Sequence, residues 1–238
     1  FGTALEGAQA LGYAEADPTF DIEGVDAAHK LTIMSAIAFG IPMQFDRAYI
    51  EGISKLASID IKYAEDLGYR IKLLGITRRT ERGIELRVHP TLISAKRLLA
   101  NVEGAMNAVE VHGDAVGTTL YYGKGAGAEP TASAVVADLI DVARDEYGDP
   151  FAMQVGQLVA QPKADTGTHV GRTYLRFIVR DKPGVLAEIA AAMRDAGVSI
   201  ESVIQRGASE DGSVLLVVVT HDSAERAIAQ TLDQLRDA

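Results

Sequence analysis

The sequence predicts an α+β protein in two parts, and three observations carry that reading. Apolar residues repeat near every 3.6 positions up to about Leu67, every second position from Tyr69 to Tyr122, and again near 3.6 from Thr131. A polar stretch holding Pro162, Gly167 and Gly171 then interrupts the pattern. After it the order restarts as strand, helix, strand, strand, helix. At 238 residues the chain is long enough for two such domains, each with its own core. The expected boundaries are a domain over 1–160, a linker over 161–172 and a smaller domain over 173–238.

The first domain opens on a short helix with Leu5, Ala8 and Leu11 on one face. No initiator Met and no cap precede it, so the chain reads as N-terminally truncated. Asp26 opens a second helix, which runs to about Phe39. Its expected apolar stripe is Leu31, Met34, Ile37 and Ala38, and Gly40 with Pro42 ends it. A further helix is expected over Asp46 to Leu56. Ser58 is placed to cap another, Ile59 to Leu67, which Gly68 stops. Four strands follow: Tyr69–Arg78, Gly83–Pro90, Ala105–His112 and Ala115–Tyr122, separated by turn residues. The amphipathic segment Thr131–Tyr147 is expected as a helix lying across them. The first domain is therefore a mostly antiparallel sheet covered by helices.

The second domain reads as strand Thr173–Arg180, turn Asp181-Lys182-Pro183-Gly184, helix Val185–Ala196 and a stop at Gly197. Strand Ser199–Arg206, turn Glu210-Asp211-Gly212, strand Val214–His221 and helix Ser223–Leu235 complete it. This is a ferredoxin-like βαββαβ unit lacking its last strand, and so reads as C-terminally truncated. The edge so exposed is expected to be covered by a partner chain or to be disordered.

Composition removes several function classes. A formal net charge of -10 disfavours a nucleic-acid backbone or an anionic membrane as partner. With no cysteine there is no disulfide, thiolate metal site or cysteine nucleophile. No apolar run approaches the ~18 residues that span a bilayer, and a cytoplasmic location is expected. The five histidines are scattered without ligand spacing, so no metal site is expected.

Two segments carry candidate chemistry. Between Gly12 and Leu31 stand Glu15, Asp17, Asp21, Glu23 and Asp26, followed by one cation, Lys30. Asp26 and Lys30 are four apart and share a helix face. They admit two readings: an N-cap Asp26 with an i,i+4 ion pair to Lys30, or acids that hold an amine beside a lysine acting as proton donor. His29 adjoins Lys30 but points about 100° away around the helix. The second segment is Gly123-Lys124-Gly125-Ala126-Gly127, between a strand and a helix start. It suits a tight turn or the close approach of an anion. It is not a dinucleotide fingerprint, lacking a βαβ setting and an acid about 20 positions on.

The stretch AQALGYAEADPTFDIEGVDAAHKLTIM resembles the signature of homoserine dehydrogenases. The resemblance continues through EGISKLASIDIKYAEDLGYRIKLLG, HPTLI, NAVEVHGD and YYGKGAGAEPTASAVVADL, to about Tyr147. LRFIVRDKPGVLAEIAAAMRDAGVSI resembles an ACT domain, a small ligand-binding module. The resemblance implies NAD- or NADP-dependent interconversion of L-aspartate 4-semialdehyde and L-homoserine, on the route to threonine and methionine. It implies Glu15, Asp21 and Asp26 as substrate-binding acids, Lys30 as proton donor, and Gly125 and Gly127 against the cofactor. For the ACT-like part it implies an amino-acid effector, threonine, near Asp181 and Gly184, and for the protein a homodimer or homotetramer. The nucleotide-binding domain that the family places before this region is missing from the sequence. The expectation is thus a chain inactive by itself. The alternative is a non-catalytic dimeric unit whose only activity is amino-acid binding.

Overall fold

The computed structural model describes residues 2–10, 16–146, 148–162, 164–208 and 212–236. The chain divides into two compact units, residues 1–79 with 86–162, and residues 80–85 with 163–238.

The first unit begins with α1 (Gly2–Ala10), α2 (Thr19–Ile22) and α3 (Val25–Phe39). A 3-10 turn at Phe45–Arg47, β1 (Tyr49–Ile50) and α4 (Ser58–Asp66) come next. Then follow β2 (Tyr69–Thr80), β3 (Gly83–Ser94), β4 (Met106–Gly113), β5 (Gly117–Lys124) and α5 (Ala128–Ala143). β1, β3 and β2 form one sheet in that order, while β4 and β5 form a separate antiparallel ribbon. β1 is parallel to β3, pairing Tyr49 with Arg87 and Ile50 with Val88.

Small residues set the α3 core contact. Ala28, Leu31, Thr32, Ser35 and Ala36 are its buried positions, spaced as one face of a helix. Leu31 packs where β2 carries Gly75, its Cδ1 standing 3.4 Å from the place a Cβ would take. The expected stripe through Met34 and Ile37 is corrected. Both are exposed and lie, with Ile33, on the outer face together with Lys30. Where α3 meets the sheet, Gly75 of β2 leaves room for Leu31, and the other buried positions are small.

Three further expectations are corrected. Asp46–Leu56 is not a helix but the 3-10 turn, β1 and a loop. Pairing with β3 satisfies this backbone, and Gly52 sits where no side chain fits. Ser58 does not cap α4; it is the first helical residue, and the Asp60 carboxylate accepts the Ala57 N–H at 2.9 Å. Of Thr131–Tyr147 only the part to Ala143 is helical: α5 runs Ala128–Ala143 and buries none of its residues, so it does not lie across the sheet. The end of that segment, Tyr147, is outside the described residues.

The second unit contains β6 (Val170–Gly171), β7 (Tyr174–Arg180), α6 (Val185–Asp195), β8 (Ile200–Ala208), β9 (Ser213–Thr220), β10 (Ser223–Ala224) and α7 (Glu225–Arg236). Strand order β7-β9-β8 is antiparallel throughout. Leu175, Leu216 and Val218 of the sheet meet Ile189 and Met193 of α6 and Ile228 of α7 in one core. α6 stops as expected: Gly197 takes φ 74° and the Val198 N–H reaches back to the Met193 carbonyl at 2.8 Å. Ser223 does not open the last helix, because Ser223–Ala224 pair with Gly171–Val170. Part of the stretch read as a linker is thereby ordered. β7 stands at the edge of this sheet with β9 as its neighbouring strand, and Ile178 on it is exposed.

Candidate active site

The site is built on the α2–α3 corner. Gly24 joins the two helices at φ 78°, a left-handed conformation that favours glycine. A Cβ there would stand 2.9 Å from Val88 Cγ1, so the corner is seated on β3. On its other flank the Ile53 N–H donates to the Ile22 carbonyl at 2.8 Å. Gly52 lets the chain pass: a Cβ there would stand 2.4 Å from Glu23 Cα and 2.7 Å from Glu23 Oε2.

Asp26 lies in the first turn of α3, and its Oδ2 accepts a hydrogen bond from Lys30 Nζ at 2.6 Å. The lysine side chain is 67% exposed and the aspartate 34%. An exposed i,i+4 pair of this kind is worth about 0.3–0.5 kcal/mol, so either partner can turn to a charged ligand at little cost. The i,i+4 ion pair read from the sequence is present, but Asp26 is not the N-cap of α3: Gly24 holds that position in a left-handed conformation and no side chain caps the helix. Lys30 is not embedded in the buried stripe.

Asp21 sits on α2 with an exposed side chain, its carbonyl accepting the Gly24 N–H at 3.1 Å. Asp17 starts the turn into α2. The Thr19 hydroxyl and then the Thr19 N–H, the latter at 3.1 Å, hold its carboxyl below the usual carboxylate value of 3.8. Glu15 falls outside the described residues. The structure thus brings Asp21, Asp26 and Lys30 onto two adjacent helices.

Three residues of this corner were not singled out as a group by sequence. The His29 ring stacks on Phe45 at 4.1 Å between centroids and on Phe20 at 5.7 Å, with interplanar angles of 11° and 20°. The three aromatics lie on three different elements, and no spacing rule joins them.

The glycine turn lies between β5 and α5. Gly127 takes φ 113° at the start of α5, and the Thr131 hydroxyl returns to its carbonyl at 2.9 Å. Gly125 is filled rather than open: a Cβ there would meet the Asn107 side-chain nitrogen at 2.0 Å. The turn offers a backbone contact and an exposed helix start, and fits one edge of a nicotinamide dinucleotide at most. β5 belongs to a two-stranded antiparallel ribbon, so its glycine-rich turn into α5 is not part of a parallel βαβ unit that would hold the rest. The other candidate loop is in the second unit. There the Asp181 N–H donates to the Gly212 carbonyl at 3.2 Å, and Gly184 begins α6 at φ 101°. Among the described residues no group of three metal-ligating side chains occurs, and no helix is long and apolar enough to cross a membrane.

Comparison with known proteins decides the family. The homoserine dehydrogenase family model matches residues 1–140. The chain belongs to the homoserine dehydrogenase family. Residues 173–237 match the ACT domain, in agreement with the second unit's fold. A curated homoserine dehydrogenase of Pseudomonas aeruginosa is 57% identical over 99% of this chain, and one of Neisseria gonorrhoeae 57% over 98%. The chain spans 56% and 55% of the length of these two relatives. The crystal structure of a homoserine dehydrogenase from Thiobacillus denitrificans superposes with a TM-score of 0.89 at 56% identity. It covers all of this chain (100%) and 55% of that one. A homoserine dehydrogenase structure from S. aureus gives 0.70 at 34% identity, covering 97% of this chain and 55% of its own.

Proposed function

We propose that this chain supplies the substrate-holding wall and the proton donor of an NAD(P)-dependent homoserine dehydrogenase, which interconverts L-aspartate 4-semialdehyde and L-homoserine. The observation that carries the reading is the exposed Asp26–Lys30 pair on α3 beside the Asp21-bearing α2, within the stretch that the family model matches. Homoserine and its aldehyde each bear an ammonium and a carboxylate. Glu15, Asp21 and Asp26 would pair with the ammonium through charge-assisted hydrogen bonds. When bound, the dinucleotide supplies or accepts the hydride at C4 of the substrate. As the aldehyde carbon is reduced, negative charge builds on its oxygen. Lys30 Nζ then stabilises that charge and gives the oxygen its proton; in the reverse direction it receives it. Gly125 and Gly127 would contribute a backbone edge to the cofactor, NAD or NADP, with most of its binding made elsewhere in a polypeptide of the relatives' full length.

The test is oxidation of NAD(P)H with aspartate semialdehyde by a full-length polypeptide carrying this chain. Turnover there, and none by this chain alone, is the expected outcome. A full-length protein that folds but does not act on the semialdehyde would sink the reading and leave amino-acid binding as the chain's activity.

The second unit is proposed as a regulatory module in which the Asp181–Gly184 turn takes part in binding threonine. Calorimetry with threonine checks this; no heat up to millimolar ligand would remove it. A cytoplasmic homodimer or homotetramer is the proposed working form. Its support is the β4–β5 ribbon, where Val109, Val111, Tyr121 and Tyr122 are exposed. Two strands without cover are marginal in water.

A further inference from the structure

The short helix that presents Asp21 has little means of holding itself in place. α2 is four residues long, well under the length at which a helix is stable alone. Its position is therefore set by what touches it. One flank is backbone: the Ile53 N–H on the Ile22 carbonyl, and the close passage of Gly52 past Glu23. The other is aromatic. Phe20, adjacent in chain to Asp21 and half exposed, lies nearly parallel to the His29 ring at 5.7 Å between centroids, and Phe45 of the 3-10 turn stacks on the same ring at 4.1 Å. His29 is itself adjacent in chain to Lys30. One imidazole thus bridges the element bearing Asp21 and the element bearing the Asp26–Lys30 pair, with Phe45 as its backing.

We propose that His29 is a positioning residue: stacked on both Phe20 and Phe45, it clamps α2 against α3 and sets Asp21 relative to Asp26 and Lys30. It thereby governs affinity for the amino-acid substrate rather than the proton transfer. The catalytic consequence rests on the function proposed above; the clamp itself does not. Loss of the two stacked pairs is expected to weaken substrate affinity roughly 10-fold. A planar ring is what the geometry requires, and phenylalanine supplies one without the ring nitrogens.

The experiment compares the full-length polypeptide carrying this chain with its His29→Ala and His29→Phe variants in two readouts. The first is steady-state kinetics with homoserine and with the cofactor varied separately. His29→Ala is expected to raise KM for homoserine about 10-fold with kcat and the cofactor KM little changed, and His29→Phe to restore the wild-type value. The second is amide hydrogen exchange over Asp17–Glu23 without substrate. It should quicken in His29→Ala and return to the wild-type rate in His29→Phe. Unchanged exchange over α2 in His29→Ala overturns the clamp. So does a His29→Phe variant as impaired as His29→Ala, which would assign the role to the ring nitrogens. A fall in kcat at constant KM overturns the positioning role. If the wild-type protein does not act on homoserine, the functional reading fails on its own account, and the exchange arm still decides the clamp.

Discussion

Replacing Gly52 by alanine tests whether the α2 corner is held from behind by close packing. The added Cβ would lie 2.4 Å from Glu23 Cα and 2.4 Å from the Ile22 carbonyl oxygen. Ordinary van der Waals contact begins near 3.4 Å, so the two backbones must part by about 1 Å. Both obstructing atoms belong to main chain, which cannot rotate aside as a side chain would. The same displacement stretches the Ile53 N–H···O contact to Ile22, now 2.8 Å, past hydrogen-bonding range. Overpacking costs about 1–3 kcal/mol and the lost hydrogen bond about 1 kcal/mol, so destabilisation of about 2–4 kcal/mol is expected. In urea this appears as a midpoint about 1 M lower for the unfolding that includes the first unit. Gly7→Ala is the control: nothing stands within 4 Å of its Cβ position. It should leave the midpoint unchanged or raise it slightly through helix propensity. A Gly52→Ala protein with the wild-type midpoint and wild-type amide exchange over α2 would refute the packing argument.

Further outcomes concern this corner and the glycine turn between β5 and α5. Lys30→Ala in the full-length polypeptide should lower kcat by about 10²-fold or more while the thermal melt stays put, because an exposed i,i+4 pair contributes only tenths of a kcal/mol; a near wild-type rate would take Lys30 out of the mechanism. Asp17 carries a depressed folded-state value because Thr19's hydroxyl and N–H donate to its carboxylate. Whatever order that contact gives the start of α2 is therefore present above the unfolded-state value and lost as pH falls through the lower folded one. A carboxyl NMR titration should show Asp17 titrating below 3.8, and Thr19→Ala should move it back up. Gly125→Ala should displace the Asn107 side chain, whose nitrogen stands 2.0 Å from the added carbon, and distort the β5–α5 turn; Gly123→Ala, with nothing within 4 Å, should not.

The second unit was legible in sequence almost strand by strand. Its turns fall on residues with a local reason to turn, such as Gly197 and Gly212, and its sheet meets a core that faces of two helices, α6 and α7, complete. The first unit was legible only where local pattern and tertiary demand agree. In α3 they disagree. Met34 and Ile37 form the more apolar face, yet Ala28, Ser35 and Ala36 are buried, because closeness to the sheet outweighs bulk. The segment from Asp46 to Leu56 has helical spacing but is claimed by parallel pairing with β3, a partner about forty residues away that no local window contains. At the site, the Asp26–Lys30 contact could be read from an interval of four. The stack of Phe20, His29 and Phe45 could not, since it arises only when three elements meet.

Gly24 gives this corner a history as well as a shape. Its Cβ position faces Val88 of β3, Ile50 of β1 and Leu73 of β2, at 2.9, 3.7 and 3.7 Å. The turn that places α2 beside α3 is thus moulded on three strands that lie later in the chain, and closing those contacts means closing long loops. Asp21 and the Asp26–Lys30 pair can reach their working arrangement only after β1, β3 and β2 have come together. The shape of the chemistry-bearing corner is thus tied to the sheet that seats it, across the roughly sixty residues that separate Gly24 from Val88.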